Sequence, residues 1–289
     1  MPLLDTKTFQ TAFDTDVKRA YQRSGTGLSN WLYKKTKIGA STIRFQKMEA
    51  ITDAIQKPRH GEVIAANAAR DFIDVPVEEW GHSEYVESID ELKTDVNLRE
   101  DTAANITDVI RRKEEDIITS AMALTTNISS DAATAVTVTG MTFNKVRTAV
   151  RVLNGNNVPG SERYGLLSEF QYNNLLTLDE FRNRDLVKEV DMPLRDVPQM
   201  FRWLGVTWMV HTGLPTVVGT GAAVNDVIRQ ALVWHKRAVG VGYATDIQSQ
   251  VAWIPERRST LLDAFISLGS SIIEDRGVVA IETNETEAP

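Results

Sequence analysis

The fold of this chain is most constrained by two short segments of alternating apolar and polar residues, which more than twenty residues separate. The segments are Thr42–Met48 and Asp71–Val77, and the two-residue period of each is typical of a strand. The stretch between them, which includes Lys57-Pro58-Arg59-His60-Gly61, is mostly polar and has no compact apolar pattern. Because a long loop without a core of its own usually has a function, the sequence predicts a long hairpin that acts outside its own core.

The apolar period becomes helical further along the chain. In the segment Asp101–Leu124, apolar residues fall on one face and charged residues such as Arg111 lie on the others. This pattern predicts one long helix with one side against a sheet. Helical spacing in Asp5–Tyr21 also predicts a short amphipathic arm, which the glycines of Ser24-Gly25-Thr26-Gly27 end.

The middle third predicts a layered α/β unit between about residues 142 and 245. Thr142 is expected to cap a helix through Leu153, and a second helix is expected from Ser168 to about Leu178. Short apolar runs predict strands at Ala135–Val138, Tyr164–Leu167 and Val206–Val210.

The last third has the clearest strand pattern. Apolar residues alternate in Ile247–Trp253 and share one face of a long strand in Leu262–Ile272. Glu274-Asp275-Arg276-Gly277 is typical of a turn, and Val278–Ile281 follows as a shorter strand. The sequence therefore predicts that the chain ends in a β-hairpin.

Charge is unevenly distributed along the chain. Lys and Arg number 32 against 39 Asp and Glu, and the net charge of −7 argues against a dedicated nucleic-acid binder, which needs a basic surplus. Residues 1–60 hold eleven basic and five acidic side chains, whereas residues 61–131 hold six and seventeen. These regions would attract each other within one chain or between neighbours in an assembly. Alternatively, they are solvated faces of one domain, as Glu78-Glu79 and Glu114-Glu115-Asp116 are interpreted to be.

No motif predicts a catalytic, cofactor or metal site. The chain has no cysteine, and its histidines form no metal-binding pair; they are His60, His82, His211 and His235. Gly219-Thr220-Gly221 precedes a candidate helix, Asn225–Leu232, but lacks the third glycine of a dinucleotide fingerprint and is interpreted as a surface turn. No hydrolase elbow or phosphate-binding glycine loop occurs.

The order of these elements resembles that of the major capsid protein of tailed double-stranded DNA bacteriophages. Four segments are similar to segments of such coat proteins: Gly39–Phe45, Lys57–Gly61, Lys113–Ile118 and Ile254–Arg258. Their order along nearly the whole chain carries the resemblance. It implies an α+β, HK97-like capsid fold with an N-terminal arm, an extended β-hairpin loop, a peripheral domain with a long spine helix and a β-sheet, and an α/β axial domain.

The resemblance also implies how the chain is divided. Residues 1–41 would form the arm, and residues 42–80 the extended loop that lies across a neighbouring subunit. The peripheral domain would combine residues 81–141 and 246–289, with the spine helix at about 101–124. Residues 142–245 would form the axial domain around the five-fold and six-fold centres.

The implied protein is not an enzyme and uses no cofactor. Pentamers and hexamers would build an icosahedral head shell around double-stranded DNA, with assembly in the host bacterial cytoplasm. Further copies, a separate scaffolding protein, a portal protein and non-specifically contacted DNA are expected partners, a decoration protein is left open, and no membrane or covalent crosslink is expected. Six residues are expected at subunit contacts: Lys34, Lys35, Lys37, Lys57, Arg59 and His60.

Two alternatives belong to other functional classes. One is the shell protein of a bacterial nanocompartment, which would package protein instead of DNA. The other is a soluble α/β enzyme without a recognisable motif, because a fold does not determine a function. A large homo-oligomer would separate both shells from the enzyme.

Overall fold

The structure, a computed structural model, describes residues 25, 27–49, 54, 56, 57, 59–62, 68–87, 98–130, 139–182, 200–217 and 227–285. Three predicted features lie outside these residues. They are the helix Asp5–Tyr21, the strand Ala135–Val138 and the turn Gly219-Thr220-Gly221.

The described elements form a mixed α+β fold. The helices are α1 (Leu98–Met122), α2 (Phe143–Gly155), α3 (Glu169–Thr177) and α4 (Asp179–Arg182). The strands are β1 (Tyr33–Thr36), β2 (Thr42–Met48), β3 (Arg70–Pro76), β4 (Glu78–Glu87), β5 (Ile128–Ser129), β6 (Arg163–Leu167), β7 (Met200–Trp203), β8 (Val206–Val210), β9 (Thr216–Val217), β10 (Ile228–His235), β11 (Val239–Ile254), β12 (Ser259–Ile272) and β13 (Val278–Asn284).

A four-stranded sheet carries the long helix on one face. Its strand order is β1-β11-β12-β4, in which β1 is parallel to β11 and the other pairs are antiparallel. The apolar stripe of α1, including Ile106, Ile110 and Ile118, is buried in one core with Leu262 and Ile266 of β12. The predicted long helix is thereby confirmed, at Leu98–Met122 instead of Asp101–Leu124. Its buried face agrees with the predicted stripe only at Ile106 and Ile110; Ile118 and Met122 are buried farther along, and Leu124 is 81% exposed.

The second sheet of the fold is larger and has seven strands. The order along it is β5-β13-β10-β6-β8-β7, and β9 pairs with β10. The predicted cap at Thr142 is confirmed, because its hydroxyl accepts from the Lys145 N–H. The predicted helix from Ser168 is also confirmed, and Ser168 itself forms a reciprocal capping box with Gln171. A separate core, which includes Val146 of α2, lies on this sheet.

The predicted terminal hairpin is wrong. β12 pairs with β11 and β4, whereas β13 pairs with β10 and β5 in the other sheet. The Ile273 and Glu274 N–H groups both donate to the Ala238 carbonyl, and the 3-10 turn Asp275–Gly277 then directs the chain to the second sheet.

The candidate helix Asn225–Leu232 is also wrong over its described part. Residues Ile228–His235 form strand β10, which lies between β13 and β6. Seven of its eight residues are buried, so it lacks the alternation of a half-buried strand. A short, continuously apolar run of this kind cannot be distinguished from a buried helix by its period.

Candidate subunit interface

The two strands predicted from alternation form one antiparallel hairpin. β2 and β3 pair without a break from Thr42 opposite Pro76 to Met48 opposite Arg70, and the Glu49 N–H extends the ladder to the Ala69 carbonyl at 3.0 Å. The described residues between the two strands include Lys57, which follows the last paired residue of β2 in sequence. The hairpin is therefore a regular stalk that carries a long connecting segment.

The base of the hairpin is fixed to its own subunit by a small apolar cluster. Ile43, Phe45 and Val75 are at most 1% exposed and form a core separate from the two larger ones. Their alternation with exposed residues places all three on the face toward β11 and β12. Ile273, which directly follows β12, packs against the cluster.

Glycines in the four-stranded sheet allow this close approach. A Cβ on Gly242 would lie 2.7 Å from the Ile43 side chain, and one on Gly269 would lie 2.1 Å from the Pro76 carbonyl oxygen. Gly242 and Gly269 are direct partners in the β11–β12 register. Because neither position has a side chain, the Ile43 side chain and the Pro76 backbone pack directly against the backbone of the sheet.

The outer face of the hairpin is charged. The Arg44 guanidinium binds the Asp74 carboxylate through two contacts, Nε to Oδ1 at 2.6 Å and Nη2 to Oδ2 at 2.7 Å. These hydrogen bonds from Arg44 hold the pKa of Asp74 below its usual value. On the inner face, which Lys47 shares with Ile43 and Phe45, Lys47 Nζ lies 3.7 Å from the Glu274 carboxylate, and this weak ion pair adds to the apolar attachment.

The structure divides the six predicted contact residues into two groups. Lys34 and Lys35 lie on β1 and Lys37 directly follows it; the Lys35 ammonium donates to the Arg44 carbonyl at 2.6 Å. Lys34 Nζ donates to Asn30 Oδ1 at 2.9 Å, and the Lys37 backbone N–H donates to the Tyr243 carbonyl. The second group lies beyond the hairpin ladder, and each of its residues is exposed: Lys57, Arg59 and His60.

Comparison with known proteins identifies the family of this chain. A family model described as phage capsid protein matches residues 6–285. The chain belongs to the phage capsid protein family. No curated protein matches it.

Solved phage capsids share the fold of this capsid protein. The Ralstonia phage GP4 capsid is 12% identical, with a TM-score of 0.74 over 100% of this chain and 99% of that one. The capsid of Helicobacter pylori bacteriophage KHP30 is 10% identical, with a TM-score of 0.74 over 99% of each chain. The cyanophage P-SCSP1u capsid is 15% identical, with a TM-score of 0.72 over 96% of this chain and 93% of that one. The predicted HK97-like α+β fold and the predicted role as a capsid protein are confirmed.

A buried polar contact in the capsid protein connects the long helix to the seven-stranded sheet. The His211 ring, just after β8, lies 3.0 Å from the Glu115 carboxylate of α1, and both side chains are almost fully buried. Because the Gly213 N–H donates to Nδ1 at 3.1 Å, the proton is on Nε2 and is donated to Glu115. The interpretation of Glu115 as part of a solvated face is therefore wrong.

Two further polar centres, which the sequence pattern did not indicate, hold chain segments together. The buried Lys145 ammonium donates to the carbonyls of Thr139, Gly140 and Glu282, at 2.7, 3.1 and 3.0 Å. Asp275 accepts hydrogen bonds from the Thr125 and Thr126 hydroxyls. Burial raises the pKa of Asp275, but these hydrogen bonds outweigh burial and leave it below the usual value.

The described residues provide no metal-binding cluster. No group of three His, Asp or Glu side chains among them could hold an ion. None of the described helices is long and apolar enough to cross a membrane.

Proposed function

We propose that this capsid protein forms pentamers and hexamers that join into an icosahedral head shell around double-stranded DNA. The observation that carries the proposal is the hairpin, which is fixed at its base by Ile43, Phe45 and Val75 and continues into a long connecting segment. None of the described residues of that connecting segment is buried against its own subunit. The neighbouring subunit is the proposed contact for Lys57, Arg59 and His60.

The proposed division of the shell subunit follows the two sheets. Because the predicted bound of the extended loop, residue 80, falls inside β4, residues 42–77 are assigned to the loop, and α1 with the four-stranded sheet to the peripheral domain. The seven-stranded sheet belongs to the axial domain. Residues 142–245 contribute most of its strands, and β5 and β13 come from outside this range. Contacts between such subunits are head-to-tail, and a head-to-tail rotation that closes produces a ring.

The proposal includes several partners. A separate scaffolding protein and a portal protein would act during or after assembly in the host bacterial cytoplasm, and a decoration protein is left open. Packaged DNA would be contacted without sequence specificity, since the net charge of −7 does not provide a general basic surface. In this role the protein is structural and catalyses no reaction.

Deletion of the connecting segment tests the role of the hairpin. Residues 50–68 are replaced by Asn-Gly, which forms a tight turn between antiparallel strands. Circular dichroism and thermal unfolding should show a folded subunit, because the ladder and the apolar cluster remain. Electron microscopy should show no normal shells, and normal shells from this variant would remove the proposed role of the loop. The matched control replaces residues 286–289 with a Gly/Ser segment of equal length and should assemble as the wild type does.

A further inference from the structure

The four-stranded sheet has two edges of opposite charge within the described part of the chain. β1 forms one edge with the exposed Lys34 and Lys35, and β4 forms the other with the exposed Glu78 and Glu79. Neither glutamate forms an ion pair with any described residue. The edges are three strand spacings apart, about 14 Å, so these charges cannot pair across their own sheet.

The charges also match face by face. The Lys35 ammonium binds the Arg44 carbonyl on the hairpin face, and strand alternation places Lys34 on the opposite face, that of α1. On β4, Trp80 lies on the helix face, because Lys113 Nζ of α1 is 3.9 Å from its ring centroid. Alternation then places Glu78 on the helix face and Glu79 on the hairpin face.

The register shows that the two edges can meet with a small shift along the strands. Through β11, Lys34 is aligned with Ser270 of β12 and Lys35 with Gly269. Glu78 pairs directly with Leu268, and Glu79 with the residue before it in sequence, at position 267. In both pairs the lysine and the glutamate are therefore offset by two residues along the strand direction, about 7 Å. A shift of one copy by two residues aligns each lysine with its glutamate and keeps every side chain on its own face of the sheet.

The strand directions favour the same arrangement. β1 is parallel to β11, and β4 is antiparallel to β12, which is itself antiparallel to β11. β1 and β4 therefore run in the same direction. When a second copy is placed beside the first in the same orientation, the basic edge of one faces the acidic edge of the other.

We propose that β1 of one subunit docks against β4 of the next copy, with Lys34 facing Glu78 and Lys35 facing Glu79. The proposal rests on the proposed shell assembly and names the partner of the predicted lysine contacts. Glu78 and Glu79, which the sequence pattern left as a solvated face, become half of this contact. Repetition of the same head-to-tail contact around an axis gives a ring.

Charge reversal tests the pairing. One variant carries Lys34→Glu and Lys35→Glu, a second carries Glu78→Lys and Glu79→Lys, and a third carries all four changes. At about 0.05 M salt, where screening is weak, each of the first two should weaken subunit association on the order of tenfold or more, because like charges meet. The third should recover assembly, and this recovery also shows that the substitutions permit folding.

Mixing gives a sharper result. In the first variant both edges are acidic and in the second both are basic, so the two should co-assemble by alternation. Alternation closes rings of six but not rings of five, and electron microscopy distinguishes them. The matched control, Glu84→Lys with Glu87→Lys, changes exposed residues farther along β4 and should associate as the wild type does.

Two outcomes would overturn the pairing. One is low-salt association of the first two variants at the wild-type level, and the other is no recovery in the four-fold variant or in the mixture. The failure of the shell proposal is a different result, because then the wild-type protein itself forms no particles.

Discussion

Replacement of Phe45 by alanine tests whether the small apolar cluster holds the hairpin on its subunit. The Phe45 side chain is 1% exposed, and its ring lies edge-on to the Tyr33 ring with the centroids 5.7 Å apart. Phe→Ala in a core costs about 3–5 kcal/mol. Because this cluster is separate from the two larger cores, the loss should fall on the attachment of the hairpin and leave the rest of the subunit folded.

The expected size of the effect follows from this cost. At about 1.4 kcal/mol for each factor of ten, the hairpin ladder should open roughly two to four orders of magnitude more often, up to complete loss of protection. Amide hydrogen exchange of β2 and β3 measures this opening directly. Exchange within β10 and β12, which lie in the larger cores, should not change.

A phenylalanine on the other face of the hairpin provides the control. Phe72 is 49% exposed, and its described ring contact is with the Arg44 guanidinium, 5.3 Å from the ring centroid. An exposed cation–π contact is worth about 0.5–1 kcal/mol, so Phe72→Ala should accelerate exchange by less than about tenfold. Equal exchange rates in the Phe45 and Phe72 variants would refute the assignment of the hairpin base.

Three further predictions concern other contacts. Gly269→Ala should displace the hairpin and raise its hydrogen exchange, since the new methyl group would lie 2.1 Å from the Pro76 carbonyl oxygen. Gly155→Ala has open space around the new methyl group and should not change exchange in the hairpin. Equal exchange rates of the hairpin in the two variants would contradict the close approach. Lys145→Met removes three hydrogen bonds of a buried ammonium, so the free energy of unfolding in urea should fall by about 3 kcal/mol or more; a fall below about 1 kcal/mol would show that water replaces the ammonium. Because the folded pKa of Asp275 is lowered from 3.8, its stabilisation is present above about pH 4 and is lost as the pH falls through the folded pKa. The difference in unfolding free energy between wild type and Asp275→Asn should therefore shrink at low pH, and a constant difference would be inconsistent with this role.

Local patterns in the sequence predict local structure well here. The alternation of apolar and polar residues in β2 matches an alternation of burial, because one face of the strand packs against the sheet and the other is in solvent. Thr142 caps the helix that it was predicted to cap, because a cap depends on residues only three positions away. The helix α1 itself was predictable for the same reason, because its period joins residues three or four positions apart.

Pairing between distant segments was harder to predict. The turn at Glu274–Gly277 indicates that the chain changes direction, but it does not specify which sheet accepts β13. The direction depends on the Ala238 carbonyl and on the residues around Asn127, which lie far away in sequence. Buried polar contacts such as Glu115 with His211 likewise give no local signal, because the sequence around a glutamate next to an apolar stripe is the same whether that glutamate is buried or exposed.

The predicted contact residues show the same limit. Uneven charge along the sequence indicated that a basic and an acidic region could attract, but not that Lys35 and Glu79 lie on one face at opposite edges of one sheet. That relation depends on a four-stranded register that joins three distant parts of the chain. The role of these residues at a subunit contact stays a prediction.

The most direct test of the shell proposal is electron microscopy of the purified full-length protein, with light scattering to measure particle mass. Closed shells, or rings of five and six subunits, are the predicted result, and nucleic acid in shells isolated from infected cells would distinguish a phage head from a protein-filled compartment. Monomers at every concentration and salt tested, with and without a co-expressed scaffolding protein, would contradict the proposed assembly.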